Sequence, residues 1–424
     1  MTDIVIVGGG IVGLAVAKSL TEAYPHLTLK VLEKEPVWGA HQTGRNTGVV
    51  HSGIYYQPGS LKARLARAGN DRMLRFCREH GIPNNTCGKV IVASEESELP
   101  ALGRLLERAR ANGIAARRLT PEELHEREPY AQGVAALLVP STAVTDYSLV
   151  ADRLAGLLSA AGVELHLNTR LESIDRANGE IRLGTAQGVY ATRFLINCAG
   201  LHSDRVAEWD GSSPVDRVLP FRGDYFQLRA SRAHLVRHLV YPVPDPRSPF
   251  LGVHLTRTVH GTVHVGPNAV LSLAREGYGK AAFNFSEAAE MLRSNGFWGY
   301  ARRNWRHGIA EASTGFNLSA FTRRLQRLVP EIQPDDLIPL ESGVRAQAVT
   351  ADGSLVEDFQ IVAGRNSLHV CNAASPAATA SLELGRYIAQ QATRAPGFPV
   401  TTESPDLWQE DPDSQRYCEG ICEL

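Results

Sequence analysis

The chain has 424 residues and a formal net charge of −1; 43% of its residues are hydrophobic and 21% are charged. This length exceeds what one hydrophobic core usually supports, so we expect two domains, and the near-neutral charge gives no argument for nucleic-acid binding. The six cysteines include no C-x-x-C pair, which argues against a disulfide framework and against a metal site.

The chain carries no signal for export or for membrane insertion. Only three residues precede the first predicted strand, so we expect neither a signal peptide nor a transit segment. No window approaches the roughly 20 apolar residues that a membrane span requires. We therefore expect a cytoplasmic protein and leave open a peripheral contact with the inner face of the membrane.

The first predicted element is a dinucleotide-binding turn. Residues 4–7 are wholly apolar and predict a buried strand, and the apolar positions from Ile11 onward predict a helix. The sequence between them is Gly-Gly-Gly. Gly8 permits a tight turn, Gly10 lets the backbone approach a pyrophosphate at the helix N-terminus, and Gly13 lets the helix lie close to the sheet.

A second predicted strand, residues 28–32, ends at Glu33. A carboxylate at this position accepts hydrogen bonds from ribose hydroxyls and repels a 2′-phosphate. A G-x-G-x-x-G motif alone also occurs as an ordinary glycine-rich turn, but here the strand, the helix and the acidic residue accompany it. The unit therefore predicts FAD or NAD.

The next part of the chain predicts a functional loop, several helices and a group of strands. The loop, residues 41–53, is rich in Gly, Thr and Asn, and loops this long are usually functional. Thr120 and Glu123 predict a capping box. Helices are predicted at residues 61–79, 98–112, 121–126 and 147–161, and strands at 163–168, 171–175, 180–184, 188–192 and 194–200. The last strand leads to Ala199 and Gly200, whose backbone would contact a second part of the cofactor, which fits FAD better than NAD.

From about residue 219 the pattern changes to alternating β segments, which predicts a separate, antiparallel sheet. Its strands are predicted at residues 225–228, 250–256 and 262–266, followed by helices at 286–306 and 320–328. A strand at 367–371 and a closing helix to residue 392 return the chain to the first domain.

Five stretches of sequence together resemble one family of flavoenzymes. They are residues 41–56, 220–225, 250–257, 343–348 and 372–379, in this order. Over most of residues 3–392 the chain resembles the D-amino-acid oxidase superfamily of FAD enzymes, and these stretches are similar to its L-2-hydroxyglutarate oxidase/dehydrogenase family. The resemblance implies oxidation of L-2-hydroxyglutarate to 2-oxoglutarate by hydride transfer to flavin N5, with reoxidation by oxygen or a membrane quinone.

The expected fold is α/β, with a Rossmann-like FAD-binding domain and an α+β substrate domain built on an antiparallel sheet. The FAD-binding domain is discontinuous, at residues 1–90, 146–218 and 340–395, and the substrate domain takes residues 91–145 and 219–339. Residues 396–424 form an acidic tail that we expect to be mobile, with no role implied by the resemblance.

Oxidation of a 2-hydroxy acid requires a base for the hydroxyl proton and a cation for the carboxylate. His51 is the first candidate for the base because it ends the loop that reaches the flavin in the family, and His254, on a predicted substrate-sheet strand, is the second. Arg345 matches the arginine that holds the substrate carboxylate in related amino-acid oxidases. Either histidine could instead have a structural role, and Arg345 could instead pair with Glu341.

A five-carbon dicarboxylate needs a second cation, for which Arg257 and Arg222 are candidates, although either could be structural. Tyr225 is one of three candidate hydroxyl donors. The substrate-binding candidates are Arg345, Arg257, Tyr55, Tyr241 and Thr256, the last because it shares a strand face with His254.

The family pattern extends the cofactor site beyond the glycine turn. Leu171 is expected to meet the adenine through its backbone, and residues 376–379 are expected at the flavin pyrimidine. The cofactor-binding candidates are Gly8, Gly10, Ile11, Val12, Gly13, Glu33, Lys34, Thr43, Asn46, Ser52, Leu171, Ala199, Gly200, Pro376, Ala377, Ala378 and Thr379.

Two other functions remain open at this point. The same scaffold could oxidise another small substrate, such as an amino acid or glycerol 3-phosphate. A protein of a different class would be a non-catalytic, dinucleotide-binding sensor. The expected partners are a small dicarboxylate and oxygen or a quinone, without nucleic acid.

Overall fold

The computed structural model describes residues 1–177, 179–212, 217–246, 248 and 250–400. Most of the expected acidic tail, with Cys418 and Cys422, lies outside the described residues.

The strands are numbered in chain order. They are β1 Thr2–Val7, β2 Leu29–Leu32, β3 Val49–Val50, β4 Asn84–Asn85, β5 Lys89–Ala93, β6 Arg117–Leu119, β7 Ala135–Val139, β8 Ala143–Thr145, β9 Glu164–His166, β10 Leu171–Ala177, β11 Glu180–Thr185, β12 Gly188–Asn197, β13 Arg217–Gly223, β14 Phe226–Leu228, β15 Leu239–Pro242, β16 His254–Arg257, β17 Val263–Gly266, β18 Val270–Leu271, β19 Leu337–Pro339, β20 Gly343–Val349, β21 Gln360–Gly364 and β22 Ser367–Asn372.

The α-helices are numbered in the same way. They are α1 Ile11–Ala23, α2 Leu61–Glu79, α3 Leu99–Ala111, α4 Pro121–Arg127, α5 Tyr147–Ala160, α6 Ser203–Trp209, α7 Phe285–Leu292, α8 Asn295–Phe316, α9 Leu318–Gln326 and α10 Ala377–Arg394. None of the described helices is long and apolar enough to cross a bilayer.

The first large sheet contains the predicted dinucleotide unit. Its strand order is β10-β11-β12-β1-β2-β9, with β22 beside β12 and β21 beside β22. The pairs β9–β2, β2–β1, β1–β12 and β12–β22 are parallel. Glu33 therefore follows the carboxyl end of β2, next to the glycine turn that follows β1, which is where ligands bind in sheets of this kind.

The second large sheet is built mostly from residues that the sequence analysis assigns to the substrate domain. Its order is β19-β14-β17-β16-β15-β5-β7-β6, antiparallel except for the parallel pair β15–β5. A smaller sheet, β18-β13-β20, is antiparallel and carries Arg345 on β20. The three sheets surround the cavity described below.

Several strands of the structure were not predicted, and three further differences concern elements or boundaries that were predicted. Residues 188–197 form one strand, β12, whose first half pairs with β11 and second half with β1. The helix predicted over 286–306 is two helices, because the backbone at Ser294 is extended. Lys89, expected in the FAD-binding domain, begins a strand of the second sheet.

The C-terminal helix α10 packs against both α1 and α2. A Cβ added at Gly385 of α10 would lie 2.6 Å from the backbone of Ala15 on α1, and one at Gly69 of α2 would lie 2.6 Å from Ala380 Cα. These glycines permit backbone contact between the helices. The end of the chain is thereby held beside its beginning.

Candidate active site

A cavity of about 2130 Å³ is lined by residues of both large sheets and of the small sheet. This volume exceeds the roughly 300–1,000 Å³ of an ordinary small-molecule pocket. Most of the cofactor candidates line it, namely Gly8, Gly10, Ile11, Val12, Glu33, Lys34, Thr43, Asn46, Leu171, Ala199, Gly200, Pro376, Ala377, Ala378 and Thr379. Gly13 and Ser52 are not among the lining residues. The cavity therefore has room for an extended dinucleotide together with a substrate.

The three motif glycines have different roles. Gly8 has φ +110°, and a Cβ there would lie 2.3 Å from the Cys198 carbonyl oxygen. A Cβ at Gly13 would lie 2.0 Å from the Gly8 carbonyl oxygen. At Gly10 the nearest atom would be Thr43 Oγ1 at 3.5 Å. Gly8 and Gly13 thus shape the turn, and Gly10 leaves open space at the N-terminus of α1, where a pyrophosphate fits.

Glu33 is buried and is held by two backbone donors. Gly9 N–H donates to Glu33 Oε2 over 2.7 Å, and Glu35 N–H donates to Oε1 over 2.9 Å. Each carboxylate oxygen keeps a lone pair for a ribose hydroxyl. The site residues therefore fit the ribose of FAD.

Two polar cofactor candidates make contacts within the protein. Asn46 Nδ2 donates to the carbonyl oxygens of Gln42 and Thr43, and its Oδ1 accepts from Gly48 N–H. Lys34 Nζ pairs with Glu35 and, over 2.8 Å, with Glu276. Asn46 thus shapes the loop, and Lys34 joins the adenosine end of the cavity to the segment after β18.

The backbone of His51 is fixed on both sides. Its N–H donates to Thr379 Oγ1 on α10 over 3.0 Å, and its carbonyl oxygen accepts from Asn70 Nδ2 over 3.1 Å. The His51 Nδ1 atom is buried without a hydrogen-bond partner among the described residues. The side chain lines the cavity, so His51 is available to a ligand.

Both candidate histidines are uncharged near neutral pH. Burial lowers the pKa of His51 to about 3, and the nearby charges of Lys89, His254 and Arg345 contribute. Burial likewise lowers the pKa of His254 to about 4, and its Nδ1 lies 2.9 Å from the Gly252 carbonyl oxygen. A neutral imidazole nitrogen can accept a proton from a substrate hydroxyl.

Arg345 lines the cavity and has no ion-pair partner among the described residues. Its guanidinium carbon lies 5.3 Å from the centre of the Phe250 ring. The alternative partner, Glu341, instead accepts from Arg45 Nη1 over 2.6 Å. The guanidinium is therefore free to hold a carboxylate in two parallel hydrogen bonds.

The structure corrects two substrate-binding candidates and the alternative Arg222. Arg257 Nη1 donates to the carbonyl oxygens of Ala233 and Val236 and does not line the cavity. Its distance of three residues from His254 places it on the opposite face of β16. Thr256 is fully buried and also absent from the lining.

Arg222, for its part, is buried against Asp224, with its Nε 2.8 Å from Asp224 Oδ1. The Arg222 guanidinium therefore stabilises the small sheet and is not available to a substrate carboxylate. The two predicted tyrosines, Tyr55 and Tyr241, do line the cavity, and Tyr241 stacks on His254 with ring centres 4.0 Å apart.

Sequence reasoning missed two lysines at the substrate end. Lys62, in the first turn of α2, lines the cavity although it is largely buried, and burial lowers its pKa to about 8, an effect that Asp358 opposes. The Asp358 carboxylate accepts from the backbone N–H groups of Leu61 and Lys62. Lys89 is buried on β5, behind Tyr55 and Tyr241. Lysines in an amphipathic helix and a short strand gave no signal of burial.

We predict that Gly10→Val empties the cofactor site without unfolding the protein. Gly10 has φ −73° and ψ 170°, which valine adopts, and the new side chain would occupy the space at the N-terminus of α1. Flavin content after purification should fall by roughly tenfold or more, and the unfolding free energy of the apoprotein should change by less than about 1 kcal/mol. The measurements are flavin absorbance and apoprotein unfolding.

Gly13→Val is the matched control, because its Cβ meets backbone rather than open space. It should lower both flavin content and apoprotein stability. A Gly10→Val protein that purifies with full flavin would contradict the placement of the pyrophosphate.

Comparison with known proteins agrees with this site. The family model described as FAD dependent oxidoreductase matches residues 3–391. The chain is 45% identical over 394 residues to the L-2-hydroxyglutarate dehydrogenase of Indibacter alkaliphilus, covering 92% of this chain and 99% of that protein. It is 41% identical to the mitochondrial L-2-hydroxyglutarate dehydrogenase of Homo sapiens, covering 92% and 88%.

Solved structures share the fold at low sequence identity. The dithionite-reduced L-alpha-glycerophosphate oxidase of Mycoplasma pneumoniae, with FAD bound, aligns with a TM-score of 0.76 at 21% identity, over 97% of this chain and 98% of that one. The glycine oxidase of Geobacillus kaustophilus aligns with a TM-score of 0.70 at 18% identity, over 95% and 99%. The chain therefore belongs to the family of FAD-dependent oxidoreductases.

Proposed function

We propose that this enzyme oxidises L-2-hydroxyglutarate to 2-oxoglutarate, with reoxidation by oxygen or a quinone. FAD is the cofactor and, when bound, supplies the hydride acceptor at N5. The observation that carries the substrate class is a pair of cations, Arg345 and Lys62, which both line the cavity and lie near enough for the charge of Arg345 to lower the pKa of Lys62. The names of the relatives at 41–45% identity support the same substrate.

The two cations match the two carboxylates of a dicarboxylic acid. Neither Arg345 nor Lys62 forms an ion pair among the described residues. The charge of Arg345 contributes to lowering the pKa of Lys62, and Asp358 and Glu357 oppose that effect. Two unpaired cations side by side repel each other and attract a dianion. We assign the carboxylate next to the hydroxyl to Arg345 and the distal one to Lys62.

His51 is the proposed base. As the carbinol carbon gives up its hydride, the hydroxyl proton must leave so that the C–O bond becomes a carbonyl. A neutral imidazole accepts that proton. The His51 backbone is fixed because its N–H donates to Thr379 Oγ1 and its carbonyl oxygen accepts from Asn70 Nδ2. His254, stacked on Tyr241, is the alternative acceptor at the same end of the cavity.

The similar fold of a glycerophosphate oxidase and a glycine oxidase leaves the substrate open, because both are below 25% identity. Glycine carries one carboxylate, so it would leave one of the two cations unpaired. The presence of two cations, Arg345 and Lys62, favours a substrate with two carboxylates.

We predict that the purified enzyme is yellow and that anaerobic L-2-hydroxyglutarate bleaches its flavin absorbance. The D isomer should not, since the fixed carboxylates would direct its carbinol hydrogen away from the flavin. Absorbance spectra before and after each addition measure the effect. Bleaching by glycine or glycerol 3-phosphate, with none by L-2-hydroxyglutarate, would disprove the substrate.

We predict that Lys62→Met lowers kcat/KM for L-2-hydroxyglutarate by about 100-fold, as expected for loss of a desolvated charge contact. For L-2-hydroxypentanoate, which lacks the distal carboxylate, the same substitution should lower kcat/KM by less than about threefold. Arg345→Ala should reduce turnover of both acids. Stopped-flow measurement of flavin reduction, for each enzyme with each acid, tests these changes. Equal losses for both acids in Lys62→Met would contradict the assignment of the distal carboxylate.

We also propose a peripheral membrane contact through the α7–α8 face, defined as Phe283, Phe285, Leu292, Trp298, Arg302, Trp305, Arg306 and Ile309. Phe285, Trp298, Trp305 and Ile309 are 79%, 55%, 56% and 63% exposed. Along α8, positions 298, 302, 305 and 309 follow helical spacing and therefore share one side.

The composition of this face fits an anionic lipid surface. Its aromatic residues are the type enriched at membrane interfaces, and Arg302 and Arg306 supply positive charge without an acidic residue on the face. Phe283 belongs both to the face and to the cavity lining. A membrane-dissolved electron acceptor would therefore meet the protein close to the cavity.

We predict that the enzyme sediments with vesicles containing phosphatidylglycerol and less with pure phosphatidylcholine. Phe285→Ser/Trp298→Ser/Trp305→Ser should weaken binding by roughly tenfold, whereas Val189→Ser, at an exposed valine on β12, should not. Three results would contradict the proposal. The first is that the enzyme does not sediment with the vesicles, and the second is that it is a dimer in solution that the triple variant converts to a monomer. The third is that vesicle binding requires residues 401–424 and is unchanged in the triple variant.

A further inference from the structure

Lys89 is a buried lysine that neither the fold nor the proposed reaction uses. Its side chain is 1% exposed, and its Nζ has no hydrogen-bond partner among the described residues. It lies at the start of β5, where its strand neighbours are Leu239 and Val139. An unpaired ammonium in apolar surroundings lowers the stability of the fold. Such a cost suggests a function rather than a structural role.

The Nζ atom is held between two aromatic rings. It lies 4.3 Å from the ring centre of Tyr55 and 4.9 Å from that of Tyr241. Aromatic faces attract a cation without a hydrogen bond. Tyr55 and Tyr241 line the cavity, and Tyr241 also stacks on His254. The two rings therefore separate the Lys89 ammonium from the ligand space.

The charge of Lys89 acts on both candidate bases. The charge of Lys89 lowers the pKa of His51 and that of His254 more than the charge of Arg345 does. The groups facing His51 are Lys89, His254 and Arg345. These groups are either positively charged or neutral, so they disfavour protonation of the imidazole and favour the binding of an anionic ligand.

We infer that Lys89 is a positioning residue that acts through the Tyr55–Tyr241 pair, adding a positive charge that draws a dianionic substrate into the cavity and further disfavours protonation of the His51 and His254 imidazoles. This inference rests on the proposed oxidation of a dicarboxylic 2-hydroxy acid. Lys89 would not touch the substrate, and its effect would be electrostatic.

Burial lowers the pKa of Lys89 to about 7, which gives its effect a direction with pH. The group loses its charge as pH rises through that value, so the affinity for a dianion should fall on the alkaline side. Lysine in the unfolded chain stays charged up to about pH 10. The cost of burying the ammonium is therefore greatest below pH 7 in the folded protein and declines above it.

The test uses the FAD-loaded enzyme and glutarate, a dicarboxylate without the reactive hydroxyl, so that binding is measured apart from turnover. Lys89→Met keeps the length of the side chain and removes the charge. Glutarate should bind on the order of tenfold more weakly to Lys89→Met at about pH 6. The difference from the unsubstituted enzyme should shrink at about pH 9, where Lys89 is largely neutral. Flavin absorbance changes on titration with glutarate measure both.

Two further measurements separate an electrostatic from a structural role. The melting temperature of Lys89→Met should be unchanged or higher, because an apolar side chain replaces a buried unpaired charge. The acid-side midpoint of the flavin reduction rate should move to higher pH, since the charge that suppresses imidazole protonation is gone. Lys89→Arg should restore affinity and remove its alkaline decline, because arginine stays charged. Lys18→Met, at a lysine paired with Glu22 on α1, is the matched control and should change none of these.

Unchanged glutarate affinity and an unchanged reduction profile in Lys89→Met would overturn the inference, as would a lowered melting temperature with affinity lost equally at both pH values. If L-2-hydroxyglutarate fails to reduce the unsubstituted enzyme, the proposed substrate is wrong. In that case the pH-dependent binding of glutarate still decides whether Lys89 attracts dicarboxylates.

Discussion

The site depends on the contact between the N-terminal turn of α10 and the loop that ends at His51. Thr379 Oγ1 accepts from His51 N–H and lies 3.0 Å from the Tyr147 hydroxyl. Residues more than 300 positions apart are thereby fixed within hydrogen-bond distance. The backbone contacts of α10 at Gly385 and Gly69 hold that turn against α1 and α2. Because the expected pyrophosphate position is at the N-terminus of α1, the same packing would set the cofactor and the candidate base relative to each other.

The electrostatics of the cavity differ between its two ends. At the adenosine end Glu33 is buried with two backbone donors, and Lys34 is neutralised by Glu35 and Glu276. At the substrate end Arg345, Lys62 and Lys89 form no ion pair among the described residues, although Asp358 acts on Lys62 from a longer distance. Unpaired buried charges cost stability, and a dianionic ligand would remove that cost on binding. The arrangement explains how a substrate can be attracted and oriented while the histidines beside it stay uncharged.

The sequence predicted the parts of the fold that depend on local patterns. The β1–α1–β2 unit with Glu33, the exact bounds of α2 and the capping box at Thr120 are all present. The strands β5 and β7 were missed because periodicity alone does not distinguish a short apolar strand from a segment of buried helix, and no glycine motif follows them as one follows β1. Where a motif carried a candidate, as for Arg345 and His51, the sequence pointed to a residue that lines the cavity. The site was not predictable where residues distant in the sequence bury a charge, because Lys62 and Lys89 gave no local signal of burial. The alternation of side chains along β16, which places Arg257 on the opposite face from His254, was overlooked.

The most direct test of the account is a crystal structure of the FAD-loaded enzyme with glutarate bound. The account predicts one carboxylate on the Arg345 guanidinium and the other beside Lys62 Nζ, with the carbon chain between them facing His51. Glutarate bound elsewhere, or an Arg345 guanidinium paired with a protein carboxylate in that complex, would contradict it.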